Sequence, residues 1–402
     1  MTDHAFYTLS ITIAAALLAY IILWSGLQTF NANPTKRFWR IWSKLLLYYA
    51  AYTMPFWALL LIIGRVQQVT PMLAQLSPNA VLMAVIAMGL YFYTVVVQPN
   101  RLRLQHHAVD LGLTTPLTVA VLADLRIGLY SGKPRHISKL VATINALSAD
   151  AVLITGDWLY YPSADLVGQL MLFKGVNKPV YTVMSTSDLR YQSINTTKQG
   201  QPLLEDTLAN AFDVLDINYI GQQCTSLPLK CARTGNGRLI ANQASYIKGH
   251  PDTSTQKYLK DNPVVAILCG WQDIPKQLND DDTLNVPNKA VLSAEIEQAT
   301  KPVIILASRF DSISDLPKSL QPRPLLITGA AKAIQKNILT AQKKQDIRRI
   351  GKQSSLLDNS RMGKQRGLYQ HGSAQIFVSS GVGTRGLPFR WYRPTIDVLT
   401  IR

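Results

Sequence analysis

The chain has 402 residues, 48% of them hydrophobic, and a formal net charge of +17 at pH 7. Three cysteines are too few and too odd a set for a disulfide-built scaffold, and the length admits two ordinary domains. The apolar residues are uneven, so the first hundred positions and the remainder have to be read as different materials.

No Asp, Glu, Lys or Arg occurs between His4 and Pro34, and residues 6–29 exceed the roughly 20 apolar residues that cross a bilayer. A second uncharged run covers residues 45–64. A third, 80–97, follows the breakers Pro71 and Pro78. The sequence therefore predicts three transmembrane helices in a membrane domain spanning residues 1–100. The first run has no basic residue ahead of it and is too long for an export signal, so it is expected to stay attached. Trp39 and Trp42 are expected just ahead of the second helix as interfacial anchors.

Lys36, Arg37, Arg40 and Lys44 follow the first helix, Arg65 alone follows the second, and Arg101 and Arg103 follow the third. Basic residues near helix ends resist translocation, which predicts an outside N-terminus and a large cytoplasmic domain. A bacterial inner membrane is the expected location, with a periplasmic domain as the alternative. Cys224 and Cys231 are read as reduced thiols or, were the domain extracytoplasmic, as a pair. His106 and His107 read as juxtamembrane surface.

Residues 101–402 alternate short apolar runs with helical stretches. Strands are predicted at 117–122, 151–154, 179–184, 264–268, 303–307, 375–380 and 396–401, with a helix at 137–147. Strand, polar terminus, helix, strand is the rhythm of an α/β domain, in which ligands collect at the carboxyl ends of strands. Trp158, Tyr160 and Tyr161 follow one such end and point to packing, with a lipid-lined mouth as the alternative. Residues 323–402 hold fifteen Lys or Arg against three acids. Much of this charge lies in a basic excursion at 332–366, including Lys343, Lys344, Arg348 and Arg349. Near a bilayer such residues are drawn to anionic headgroups by about 1 kcal/mol each. No interleaved aromatics or reader motif point to nucleic acid.

Three stretches end predicted strands: Ala123-Asp124-Leu125-Arg126-Ile127-Gly128, Ile154-Thr155-Gly156-Asp157 and Val183-Met184-Ser185-Thr186-Ser187-Asp188. With the closing segment Gly381-Val382-Gly383-Thr384-Arg385-Gly386-Leu387-Pro388-Phe389-Arg390, they give residues 101–402 a frame that resembles the membrane-anchored branch of the calcineurin-like metallophosphoesterases. The family's blocks run Asp-x-His, Gly-Asp, Gly-Asn-His-Asp, a lone His, then Gly-His-x-His. The resemblance implies a two-sheet sandwich flanked by helices, and two divalent metals that activate a hydroxide against a phosphoryl group.

Block by block, this chain keeps carboxylates and loses the other donors. Asp124 matches the first Asp while Arg126 replaces its His, and Asp157 matches the bridging Asp. Thr186 and Ser187 stand for the Asn and His of the third block, followed by Asp188. Cys269, Gly270 and Trp271 stand where the lone His falls, and Ser308-Arg309-Phe310-Asp311 replaces Gly-His-x-His. None of the six histidines falls in a block.

Two carboxylates without metal at adjacent strand ends need a proton or a cationic partner. Arg126 and Arg309 are placed to pair with Asp124, Asp157 and Asp311, and a guanidinium cannot activate water. On this reading no metal or cofactor is expected. Two alternatives stay open: a single Mg or Mn ion on Asp124, Asp157 and Asp311, or a working pair of divalent metals. The expected function is a membrane-anchored, metallophosphoesterase-like pseudoenzyme that binds membrane lipid, an anionic headgroup or a protein partner. The alternative is a metal-dependent phosphoesterase or pyrophosphatase acting on membrane-associated phosphate esters.

Overall fold

The structure, a computed structural model, describes residues 3–31, 38–66, 75–128, 134–162, 166–189, 204–228, 264–271, 289–308, 324–329, 367–371, 374–383 and 393–402. They divide into two compact units, one built mainly of Met1–Arg101 and the other of the chain from Leu102 onward.

In the first unit α1 spans Asp3–Asn31, α2 Phe38–Val66 and α3 Pro78–Phe92, the last continuing through a π-helical turn at Tyr93–Val97 and a 3-10 turn at Gln98–Asn100. Thr8–Phe30, Phe38–Val66 and Pro78–Asn100 are each long and apolar enough to cross a membrane. The start of α3 has a local cause. Ser77 is its N-cap, accepting from Ala80 N, and Pro78 at the first helical position loses no intrahelical bond. The second helix begins earlier than the uncharged run that signals it. Trp39 and Trp42, with Arg40 and Lys44, therefore lie within its first two turns rather than ahead of it, and Trp39 is exposed. Tyr91 Oη ties α3 to α2 by donating to Leu47 O at 2.8 Å.

In the second unit the elements are β1 (Arg103–Val109), β2 (Leu117–Leu122), β3 (Ile127–Gly128), α4 (Pro134–Ala146), β4 (Ala151–Ile154), β5 (Leu159–Tyr160), α5 (Leu166–Leu170), β6 (Val180–Thr182), α6 (Leu204–Val214) and β7 (Ile217–Tyr219). There follow β8 (Cys224–Pro228), β9 (Val264–Trp271), α7 (Lys289–Glu297), β10 (Val303–Ala307), β11 (Leu325–Thr328), β12 (Gly367–His371), β13 (Ala374–Val378) and β14 (Thr395–Ile401). One six-stranded sheet has the order β1-β14-β2-β4-β6-β7, the other β12-β13-β11-β10-β9-β8, and β3 pairs with β5.

Strand alternation sorts the core into layers. Val119, Val121 and Leu153 of the first sheet meet Leu268, Ile304, Leu306 and Ile327 of the second. The opposite face of the first sheet buries Ala120, Leu122 and Val152 with α4, α5 and α6, and that of the second covers Ile305 and Leu326 with Leu292 and Ile296 of α7. The result is helix, sheet, sheet, helix. Trp158 is fully buried in the helical layer, with ring centroids 5.5 Å from Phe173 and 4.8 Å from Phe212, and its Nε1 donates to Thr182 Oγ1 at 2.7 Å. Trp158 and Tyr160 are thus core, not a lipid-lined mouth.

Two sequence readings change. His106 and His107 lie on β1, a strand with no sequence signal, and only His106 is exposed. His107 is half-buried, with Nε2 3.4 Å from Asp397 Oδ1. Cys224 is disulfide-bonded to Cys269, not Cys231, which lies outside the described residues. The cause is register: β8 and β9 are antiparallel and place Cys224 directly opposite Cys269.

Truncating Trp158 removes two aromatic contacts and the Nε1 donor to Thr182 Oγ1, which keeps its bonds to Ile154 O and Val183 O. Trp158→Ala is expected to lower unfolding free energy by about 3–5 kcal/mol, read as an earlier denaturant midpoint of the detergent-purified chain.

Candidate functional site

Strands β2, β4 and β6 run parallel, so their carboxyl ends share one edge of the first sheet. The chain leaves β2 through Ala123-Asp124, β4 through Thr155-Gly156-Asp157 and β6 through Val183 to Ser185. Backbone bonds then lock these exits together. Arg126 N donates to Asp157 O at 2.9 Å and Ile127 N to Trp158 O at 2.7 Å, forming the β3–β5 pair. From the far end of the chain, Val382 N donates to Ala123 O at 2.8 Å and Gly383 N to Asp124 O at 2.6 Å. A Cβ on Gly383 would collide with Leu125 O, so this approach requires glycine.

At the centre is an ion-paired trio. A single nitrogen of Arg126, Nη2, donates to Asp124 Oδ1 at 2.7 Å and to Asp157 Oδ2 at 2.6 Å. The Arg126 and Asp157 side chains are 7% and 9% exposed and Asp124 17%, so the contact is largely withdrawn from water. All three residues hold left-handed backbone, with φ of 53°, 49° and 52° for Asp124, Arg126 and Asp157. Asp tolerates that region, whereas for Arg it is strain held by the surrounding hydrogen bonds. The second oxygen of Asp157 accepts from Ser187 Oγ at 2.5 Å.

Asp188 plays a different part. Its Oδ1 accepts from Leu159 N and its Oδ2 from Ser185 N, both at 2.9 Å, and Ser185 Oγ adds a third bond at 3.0 Å. It is 1% exposed and clamps the β6 exit to β5. Thr186 is buried beside it.

The carboxyls separate in proton affinity. Burial pushes Asp124 up against the pull of Arg126, with the Asp157 charge adding to the rise. Burial acts on Asp157 too, but Arg126 and hydrogen bonds that include those of Ser185 and Ser187 outweigh it and hold this group down at about 2. Asp188 is raised to about 6 by burial and the Asp157 charge, opposed by its backbone bonds. Asp157 is therefore the firm anion, and Arg126 its counter-ion.

The positions singled out in the sequence come together unequally. Asp124, Arg126, Asp157, Ser187 and Asp188 form one network. Ser308, which opens the last block, lies against the β4 exit, its Cβ 3.2 Å from where a Cβ on Gly156 would stand. Arg309 and Asp311 lie outside the described residues, as do Lys343, Lys344, Arg348 and Arg349. Gly270 is the most informative. A Cβ there would collide with Gly221 O, and Gly270 N already donates to Gln223 O at 2.9 Å. Position 270, at the strand end where the resemblance implies a histidine, has no space for a side chain. Sequence reasoning missed Ser185 and Leu159 N as ligands of Asp188; the only trace was the Ser-x-x-Asp spacing, which suits such a local cap.

Among the described residues the donors do not fit a dinuclear centre: one oxygen each of Asp124 and Asp157 already accepts from Arg126, Ser187 offers a hydroxyl committed to Asp157, and Gly270 has no side chain to offer. The chain matches no protein-family model, and no curated protein matches it.

Replacing Arg126 with Met leaves two buried carboxylates without a cation, a loss of about 3–5 kcal/mol. The double variant Arg126→Met/Asp157→Asn is expected to recover part of that loss, which a double-mutant cycle on denaturant midpoints measures.

Asp188 sets a pH dependence of defined sign. Its folded pKa of about 6 exceeds the ordinary value of 3.8. Between those values the folded chain holds a proton the unfolded chain has lost, so stability falls as pH rises through this window and levels off above it. The fall is about 3 kcal/mol. Asp157 acts oppositely, its contribution fading as pH drops from about 4 toward 2. Denaturant midpoints between pH 4 and 7 are expected to show the first slope, and Asp188→Ala to flatten it.

Proposed function

We propose that this chain is a membrane-anchored, metallophosphoesterase-like protein that binds or scaffolds at the membrane surface and does not hydrolyse phosphate esters. The observation that carries this reading is the one Arg126 nitrogen shared by Asp124 and Asp157 at 2.7 and 2.6 Å.

In a hydrolase of the resembling family, the carboxylates at these strand ends hold cations that polarise phosphoryl oxygens and lower the pKa of a bound water. A guanidinium supplies charge and five N–H donors but no open coordination position, and it keeps its proton at neutral pH. Arg126 neutralises Asp157 and spans the β2 and β4 exits, so a guanidinium stands between these two carboxylates. Ser187 does not serve as a nucleophile, because the Asp157 carboxylate that accepts its proton is held at about 2 and is too weak a base to remove it. The three apolar helices keep this unit at the bilayer. An anionic headgroup is the proposed partner, attracted by the basic residues of 332–366.

The test is turnover of a simple phosphodiester, bis(p-nitrophenyl) phosphate, by the detergent-purified full chain with added Mn²⁺, beside Asp157→Ala. Both proteins are expected to match the protein-free blank. Mn²⁺-dependent turnover by the native chain that disappears in Asp157→Ala overturns the proposal and restores a hydrolase.

A further inference from the structure

We infer that the Cys224–Cys269 bridge is a permanent cross-link made on the oxidising side of the membrane, so that the α/β unit lies outside the cytoplasm and the N-terminus within it. Bridge and compartment stand independently of the function proposed above.

The geometry begins with register. Just ahead of β8, Gly270 N donates to Gln223 O, while Gln223 N turns away to Ile220 O, so the bonded side of this register falls at Gln223 and Gly270. Bonded and non-bonded pairs alternate in antiparallel sheets, so the next pair, Cys224 and Cys269, is non-bonded, the kind in which facing side chains come closest. Their Cα atoms are 4.0 Å apart. Only three cysteines occur in 402 residues, and two of them occupy directly opposed positions although 45 residues separate them in sequence. The bond fastens β8, the edge strand of the second sheet, to β9 one residue before Gly270.

Accessibility decides between a switch and a staple. Thiol–disulfide exchange needs a thiolate to reach one sulfur, and redox-sensing cysteines are exposed for that reason. Cys269 is 0% exposed, packed among Trp271, Ile305 and Leu326, while Cys224 on the edge strand is half-buried against the same cluster. A bond so placed forms while β8 docks and is then shielded on its Cys269 side. Shielded structural disulfides belong to oxidising compartments, where an oxidised dithiol oxidoreductase gives up its own disulfide. In that exchange the two cysteine thiols become one S–S bond, and their electrons and protons leave on the two thiols of the donor.

This orientation reverses the one read from loop charge. Two facts reduce the weight of that reading. Arg40 and Lys44 belong to α2, so only Lys36 and Arg37 fall between the first two helices. Large domains also translocate with little regard to charge. The three apolar spans among the described residues, an odd number, then place the N-terminus opposite the α/β unit.

The test counts thiols in the full chain expressed in bacterial cells. Cells are quenched in acid, and the denatured protein is alkylated with a polyethylene-glycol maleimide that retards the band once per free thiol. One shift, from Cys231, is expected before reduction and three after it. Cys224→Ser and Cys269→Ser should each show two shifts without reduction, a readout that does not depend on folding. A C-terminal alkaline phosphatase fusion, active only when exported, should be active, and protease should remove the α/β unit from intact spheroplasts. Three shifts without reduction overturn the inference. So does an inactive phosphatase fusion with the α/β unit protected, even if the bridge is formed.

Discussion

Charge compensation at the ends of β2 and β4 governs the α/β unit. Parallel strands deliver Asp124 and Asp157 to the same edge, where burial would force at least one of them to take up a proton. Arg126, two residues beyond Asp124 on the same exit, meets both carboxylates with one nitrogen. The left-handed turns at Asp124, Arg126 and Asp157 are the backbone cost of aiming three side chains at one point, and the β3–β5 pair holds them there. Asp157 stays ionised because Arg126 is present, and its charge in turn helps raise Asp124 and Asp188.

Around this trio the chain is closed by backbone rather than by side chains. Gly383 comes too near Leu125 O for any other residue, and Gly270 does the same against Gly221 O. Asp188 spends its carboxylate on two backbone amides and a serine hydroxyl, so the third carboxyl of the neighbourhood works as a clamp. A site built this way has stiff strand ends.

Most central strands were legible in the sequence because each is a short apolar run ending in a polar group, but β11, central in the second sheet, was missed. β2, β4 and β10 have the expected limits, and the helix signal at 137–147 appears as α4, one turn earlier at its start. β1, β7, β8 and β12 were not legible. Each lies at the edge of a sheet, where backbone pairing with a distant strand outweighs a local pattern, as in the parallel pairing of Arg103–Val109 with Thr395–Ile401. The same long-range pairing hid the true partner of Cys224, since spacing along the chain favours Cys231 while strand register brings in Cys269.

By itself the sequence determined the three apolar spans, the α/β character of residues 101–402, and the presence of Asp124, Arg126 and Asp157 at strand ends. These are properties of composition and period, which are local. Tertiary structure alone decided that one arginine nitrogen serves two carboxylates, that position 270 has no room for a ligand, and that two cysteines 45 residues apart face each other. Each of these depends on distances between segments far apart in the chain, and only the packing of two sheets and the register of their strands sets such distances.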